Sequence, residues 1–67
     1  MKEVRDLKAG DVVRFDYGID NRVEGTVMSV EVHPTWTKMT AVIRLPEGTT
    51  RKLTTWLYTN ALIEVVG

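Results

Sequence analysis

Leu7-Lys8-Ala9-Gly10-Asp11-Val12-Val13, near the start of a chain of 67 residues, predicts the architecture of this protein. The stretch joins one apolar residue to a Gly-Asp pair typical of a turn and to two β-branched residues that favour extended structure. We predict that Leu7 anchors the chain, that Gly10 and Asp11 turn it, and that Val13 begins the core of a small antiparallel barrel. This prediction concerns architecture and leaves function open.

The rest of the chain alternates between strand-like runs and turn formers. The runs predict five strands at residues 12–16, 22–32, 39–45, 49–58 and 62–66. Residues 33–38 are predicted to form a loop, because Pro34 cannot donate a hydrogen bond to a strand ladder. Pro46-Glu47-Gly48 predicts a tight turn, and Thr59-Asn60-Ala61 predicts one short helical turn before the last strand.

The second predicted strand changes its apolar face partway along. Val23 and Val27 fall on one face of a regular strand. The opposite face carries the apolar residues Met28, Val30 and Val32. A two-residue period cannot change face without a bulge or a sharp bend. We therefore expect a strongly bent strand that serves both halves of a five-stranded antiparallel barrel.

This order of elements resembles the SH3-like small β-barrel superfold, including its KOW- and Tudor-like relatives. The residues that carry the resemblance are Leu7, Gly10, Asp11, Val13, Gly25, Val27, the turn at 46–48 and Asn60-Ala61-Leu62. It covers nearly the whole chain and implies an all-β fold, with residues 1–67 forming a single small barrel domain. Because folds of this kind carry many unrelated activities, the resemblance predicts the architecture and not a particular function.

Composition narrows the class of protein. The chain has no cysteine, which excludes disulfides and thiolate metal sites, and it has no apolar run near the ~20 residues of a membrane span. Nine basic and nine acidic residues cancel, which is not the charge of a general nucleic-acid binder. The charged N-terminus lacks the apolar stretch of a signal peptide. We expect a cytoplasmic protein with no membrane partner, and the sequence predicts no oligomeric state.

Catalysis has little support in the sequence. Ser29 and His33 lie four residues apart in an extended segment, about 13 Å along a strand, whereas a nucleophile and its base must touch. Glu24 and Glu31 are most simply solvated strand residues, and a metal site built on His33 and Glu31 would have only one imidazole. No glycine-rich phosphate loop is present. We predict a protein that is not an enzyme and uses no cofactor or metal.

An aromatic surface is the first candidate site. The candidate partner-binding residues are Tyr17, Trp36, Trp56 and Tyr58. Trp36 either caps the core or marks a contact site. Trp56 and Tyr58 share one face of the fourth predicted strand, opposite Leu53 and Leu57. If the leucine face is the core, the aromatic residues line the outside, as in the ligand groove of SH3-like barrels; if not, that groove does not exist.

A basic hairpin is the second candidate site. Residues 38–52 carry four cations, Lys38, Arg44, Arg51 and Lys52, against the single acid Glu47, a net charge of +3. Cations beside aromatic rings could bind phosphates and stack a base, as the KOW- and Tudor-like resemblance implies. Alternatively, these charges protect the strands from pairing at their edges.

We consider three functions, of which the first two rest on these sites and the third on the size of the chain and analogy. The leading prediction is a stand-alone, non-enzymatic binding module that engages a protein or peptide through its aromatic surface. The second is a nucleic-acid-binding barrel that uses the basic hairpin. The third is an accessory or inhibitory protein of a phage or mobile element, because compact single-domain modules are common there.

Overall fold

Six antiparallel β-strands and one short 3₁₀ helix make up the described part of the chain, residues 1–16 and 22–66 of a computed structural model. The strands are β1 (Lys2–Glu3), β2 (Val12–Asp16), β3 (Arg22–Val32), β4 (Trp36–Arg44), β5 (Thr50–Tyr58) and β6 (Leu62–Val65). The 3₁₀ helix spans Val4–Asp6. The strands form one sheet in the order β1-β6-β2-β3-β4-β5. The prediction of an all-β antiparallel fold is confirmed.

Two finer predictions about the sheet need correction. The chain has six strands in its described part and not five, because the N-terminus adds β1 beside β6. The predicted barrel closure is not confirmed, since no strand pairing within residues 1–16 and 22–66 joins β1 to β5. The 3₁₀ helix after β1 approaches the turn after β5 through backbone bonds from Val4 N–H to Ala61 O at 2.9 Å and from Arg5 N–H to Thr59 O at 3.1 Å.

The segment from Leu7 to Val13 has the predicted role. Leu7 and Val13 are buried, and the Gly10 N–H donates to the Val27 carbonyl at 2.8 Å. The Asp11 carboxylate accepts the Lys8 backbone N–H at 2.9 Å and lies 3.3 Å from the Lys2 ammonium. The Lys8 bond and the nearby ammonium charge favour the ionised carboxylate and hold the pKa of Asp11 below its ordinary value. The turn is therefore fixed by both its backbone and a carboxylate.

Of the two irregularities predicted for β3, a bulge or a sharp bend, the structure has a bulge. The pairing of β3 with β4 shifts register between Val27 and Ser29, which leaves Met28 as the extra residue. The shift returns Val30 to the same side of the sheet as Val27, and Val30 packs against the core. The two apolar faces inferred from the sequence are therefore one face, interrupted by a single inserted residue.

The connections after β3 match the predictions only in part. β4 begins at Trp36, so the predicted loop at 33–38 is wrong beyond residue 35: the pairing with β5 extends to Trp36 opposite Tyr58. The turn at 46–48 is confirmed, with the Gly48 N–H donating to Leu45 O at 2.9 Å and Gly48 at φ 94°. Before β6, the chain makes a hydrogen-bonded turn from Tyr58 O to Ala61 N–H at 3.1 Å, and the 3₁₀ helix lies instead at Val4–Asp6.

The core lies on the inner face of the sheet beneath the N-terminal segment. Phe15 packs against its edge. The fully buried apolar residues of the core are Val4, Val13, Val27, Met39, Ala41 and Ile43. Gly25 faces this core at a point with no spare room. A Cβ atom at Gly25 would lie 3.0 Å from Cγ2 of Ile43 and 3.4 Å from Cε1 of Phe15. A side chain at this position would therefore require Ile43 or Phe15 to move by a few tenths of an ångström, and close strand packing favours glycine.

We predict that Gly25→Ala lowers the free energy of unfolding by about 1–3 kcal/mol, because the added methyl group overpacks a filled core. Urea unfolding followed by circular dichroism measures the loss. Thr26→Ala is the matched control, since it changes the neighbouring exposed position and adds no atom to the core. A Gly25→Ala variant as stable as the wild type would contradict the close-packing argument.

Candidate binding surface

Three large aromatic side chains share the outer face of β4 and β5. Trp36, Trp56 and Tyr58, here called the aromatic surface, are 43%, 52% and 56% exposed. Tyr17, the fourth predicted member, lies outside the described residues. Large aromatic side chains account for much of the binding energy in protein interfaces, so a cluster of three exposed ones is a candidate binding site.

Strand alternation fixes this exposure. Leu53 and Leu57 of β5 are half-buried, and Leu57 packs against the core, so Trp56 and Tyr58 must face outward. On β4, the buried Thr37 sets Trp36 outward in the same way. Of the two arrangements that the sequence left open, the structure shows the one with the leucine face toward the core.

The aromatic rings are held in contact across the strands. Trp36 and Tyr58 are direct cross-strand neighbours, and their rings stack with centroids 4.2 Å apart and planes 23° apart. The His33 ring lies 5.9 Å from that of Trp56. Stacked pairs of this kind stabilise by about 0.5–1.5 kcal/mol beyond the area that they bury. The surface is therefore ordered before any partner binds.

A shallow cavity opens beside these rings. Its volume is about 390 Å³, and it is lined by His33, Pro34, Thr35, Trp36 and Trp56. Its lining is mainly apolar. Such a cleft would accept one apolar side chain of a partner. In the sequence, His33 is considered only as a catalytic base or a metal ligand, and not as part of the aromatic surface.

Two buried threonines fasten the 33–35 turn to the sheet. The Thr59 hydroxyl donates to the His33 carbonyl at 2.6 Å, and its own oxygen lies 2.8 Å from the Thr37 hydroxyl oxygen. Since the single Thr59 proton is used on His33, Thr37 must be the donor to Thr59. The Thr59 backbone N–H also donates to Thr35 O at 2.9 Å. This network was not predicted, because threonine is common throughout β4 and β5 and neither Thr37 nor Thr59 stands out.

The four predicted cations divide between the two sides of the hairpin. Lys38, Arg44 and Lys52 alternate with buried or half-buried residues and lie on the same side as the aromatic surface. Lys38 is the direct cross-strand neighbour of Trp56. Arg51 pairs in register with the buried Ile43 and so lies on the opposite side of β5. The structure thus brings three of the four cations to the aromatic face.

An ion-pair network occupies the far end of the outer face. Arg14 contacts Glu24 at 3.1 Å and Glu64 at 3.2 Å, and Arg22 contacts Glu64 at 2.8 Å. A shallow depression of about 700 Å³ adjoins these side chains and Arg44. Exposed pairs contribute little to stability. They do neutralise the charges at this end of the face, whereas the other end presents the exposed rings of the aromatic surface.

The groups considered for catalysis have other neighbours. Glu24 bonds Arg14, and the Glu31 carboxylate lies 3.5 Å from Nε2 of His33. Ser29 pairs in register with Thr40, on the outer face. Among residues 1–16 and 22–66, no group of three or more His, Cys, Asp or Glu side chains is placed to hold a metal ion. The same residues include no helix of the length and apolarity needed to cross a membrane.

No protein-family model, no curated protein and no solved structure matches this chain. The SH3-like resemblance therefore stays a prediction from the chain's own pattern. What the structure defines is a small all-β domain with an ordered aromatic cluster on its outer face.

We predict that Thr59→Val lowers the free energy of unfolding by about 1–3 kcal/mol, because it leaves the Thr37 hydroxyl and the His33 carbonyl without their partner. Thr59→Ser is the control, since it keeps the hydroxyl and removes one methyl group. Urea unfolding measures both variants, and tryptophan emission reports the 33–35 turn beside Trp36 and Trp56. A valine variant that unfolds like the wild type would show that the network is not stabilising.

Proposed function

We propose that this chain is a non-enzymatic binding module that engages a protein or peptide through the aromatic surface. The observation that carries the proposal is the stacked Trp36–Tyr58 pair, exposed on the sheet and continuous with Trp56. The SH3-like barrel assignment belongs to the same proposal, since barrels of that type bind ligands along exposed aromatic residues.

The energetics favour a docking role for these side chains. If a partner covered about 100 Å² on each of the three aromatic residues, apolar burial would contribute on the order of 7 kcal/mol before the costs of association. Because the rings are mounted on paired strands and stacked on each other, little side-chain entropy is lost on binding. The cavity beside His33 would receive one apolar side chain and so give the interaction specificity.

Panning a random-peptide display library on the immobilised chain tests this proposal. We expect selected peptides to be rich in apolar residues, and Trp36→Ala or Trp56→Ala to weaken their binding by about thirtyfold, as expected for central aromatic residues. The control is Leu62→Ala, which removes another exposed apolar side chain, 66% exposed, from β6. Peptides that bind all four proteins equally, or no selection at all, would contradict the aromatic surface as the site.

A second candidate function, binding of single-stranded nucleic acid, is favoured by one specific observation. Lys38 lies directly across from Trp56, and Lys52 and Arg44 follow on the same face. Rings that stack bases beside cations that bind phosphates are the combination found on single-strand binding surfaces. Glu31, opposite Lys38 in register, reduces the local positive charge and weakens this candidate relative to the first.

Titration of fluorescent oligothymidine at several salt concentrations distinguishes the two functions. If the three cations bind phosphates, the logarithm of affinity should fall with the logarithm of salt with a slope of about 2. Lys38→Gln should remove about one phosphate contact and so lower the magnitude of that slope. Arg51→Gln, on the other side of β5, should change the slope less. No binding at low salt would exclude nucleic acid and leave the peptide proposal intact.

A further inference from the structure

β5 is a long edge strand with one free side. It spans nine residues, Thr50–Tyr58, and pairs with β4 along its whole length without a register shift. No strand within residues 1–16 and 22–66 pairs with its other side. The opposite edge of the sheet, β1, has only two residues. A row of unpaired backbone groups of this length is a template for pairing with another strand.

The hydrogen bonds at the two ends of the hairpin show which backbone groups face outward. Leu45 N–H donates to Thr49 O at 2.8 Å, and Thr59 N–H donates to Thr35 O at 2.9 Å. In an antiparallel pair, residues that bond the neighbouring strand alternate with residues whose N–H and C=O point away from it. Thr49 and Thr59 both bond the neighbouring strand side, so every second residue between them does the same. The odd-numbered residues of β5 therefore bond β4. The outward groups therefore belong to Thr50, Lys52, Thr54, Trp56 and Tyr58. Of these groups, the Tyr58 carbonyl already accepts the Ala61 N–H at 3.1 Å.

We propose that β5 pairs antiparallel with β5 of a second copy of this chain, on a twofold axis at Thr54. The five residues with outward backbone groups are symmetric about Thr54, so this register uses all of them. Because the Tyr58 carbonyl of each copy is occupied by Ala61, this register would form up to about eight backbone hydrogen bonds, in the narrow and wide alternation of a regular ladder. The two sheets would become one continuous sheet across the dimer.

Side chains on the outer face are complementary in this register. Lys52 of one copy lies opposite Trp56 of the other, which is a favourable cation–π arrangement. Thr50 lies opposite Tyr58, and Thr54 lies opposite Thr54 of the second copy, a pair that stabilises antiparallel strands. No like charges face each other. The two Lys52 side chains are separated by four residues of strand, about 14 Å, and are screened at physiological salt.

The inner face is compatible with the same register. Leu53 of one copy lies opposite Thr55 of the other, close to the axis, so its half-exposed side chain gains cover. Leu57, also half-exposed, lies opposite Arg51 and would be covered by its aliphatic stem. The positive charge of Arg51 therefore falls at the two ends of the pairing and not at its centre.

Neighbouring registers are less favourable. An axis at Leu53 or at Thr55 would pair only four of the five residues that have outward groups. An axis at Lys52 would place two lysines directly opposite each other, and like charges in that position destabilise a strand pair. An axis at Trp56 would leave Lys52 and Thr50 beyond the end of the paired region and would lose two of the five outward pairs. The axis at Thr54 is therefore the register that the sequence of β5 favours.

The dimer goes beyond the proposed function and can fail separately from it. Trp36 lies on β4 and takes no part in the β5 edge. Trp36→Ala therefore tests the aromatic surface without touching the edge, and changes at Thr54 test the edge without removing an aromatic ring. In the dimer, the two aromatic surfaces would lie on one continuous outer face.

Cysteine cross-linking tests the pairing, and the chain has no cysteine of its own to interfere. Thr54→Cys would bring two thiols opposite each other at a separation of about 5.5 Å between Cα atoms, which suits a disulfide. Thr26→Cys is the matched control, because Thr26 is exposed on the same face of β3, a strand paired on both sides. Under mild oxidation, we expect Thr54→Cys to form covalent dimer at least about tenfold faster than the control.

Light scattering of the wild-type chain at increasing concentration supplies the second measurement. We expect the mass to rise from 7.6 kDa toward twice that value. Thr54→Pro should keep the mass at that of one chain, since it removes an outward N–H and no bond to β4. If the proline variant does not fold, the comparison of Thr54→Cys with Thr26→Cys still tests the pairing. Equal cross-linking by the two cysteine variants, or a wild-type chain that stays monomeric into the millimolar range, would overturn the proposal.

Discussion

One inserted residue in β3 determines which side chains face solvent in the second half of that strand. Because Met28 shifts the register between Val27 and Ser29, Val30 returns to the core side. Glu31 and His33 then turn outward, toward Lys38 and the aromatic rings. Without the extra residue, the same strand would direct His33 inward and bury Glu31 against the core. The surface beside β3 therefore depends on a local irregularity in the ladder and not on the strand pattern alone.

The sequence predicts local features of this fold well. β2 and β3 have the bounds predicted from β-branched residues and alternation, and the bulge follows from the change of apolar face. The prediction fails where pairing decides the outcome. Pro34 indicated a longer loop, yet the ladder with β5 extends back to Trp36. β1 has only two residues and depends on β6, so no local signal could reveal it.

The candidate site shows the same division. Trp36, Trp56 and Tyr58 are identifiable from the sequence as large aromatic residues in polar surroundings. Their stacking follows from the register between β4 and β5, which could not be predicted from the sequence. Arg51 was grouped with Lys52 because the two are adjacent in the chain, but it lies on the other side of the strand. The predicted basic hairpin was defined by position in the chain, and so it included residues that lie on opposite faces of the sheet.

The threonine network between Thr37, Thr59 and the His33 carbonyl connects the binding surface to the core. Because the 33–35 turn is fastened to buried hydroxyl groups, it cannot open by itself without leaving polar atoms unpaired. Turn and sheet should therefore unfold as one cooperative unit. Occupancy of the aromatic surface is then linked thermodynamically to the unfolding of the whole domain. A ligand at one hundred times its dissociation constant would add about 2.7 kcal/mol to the stability of the fold.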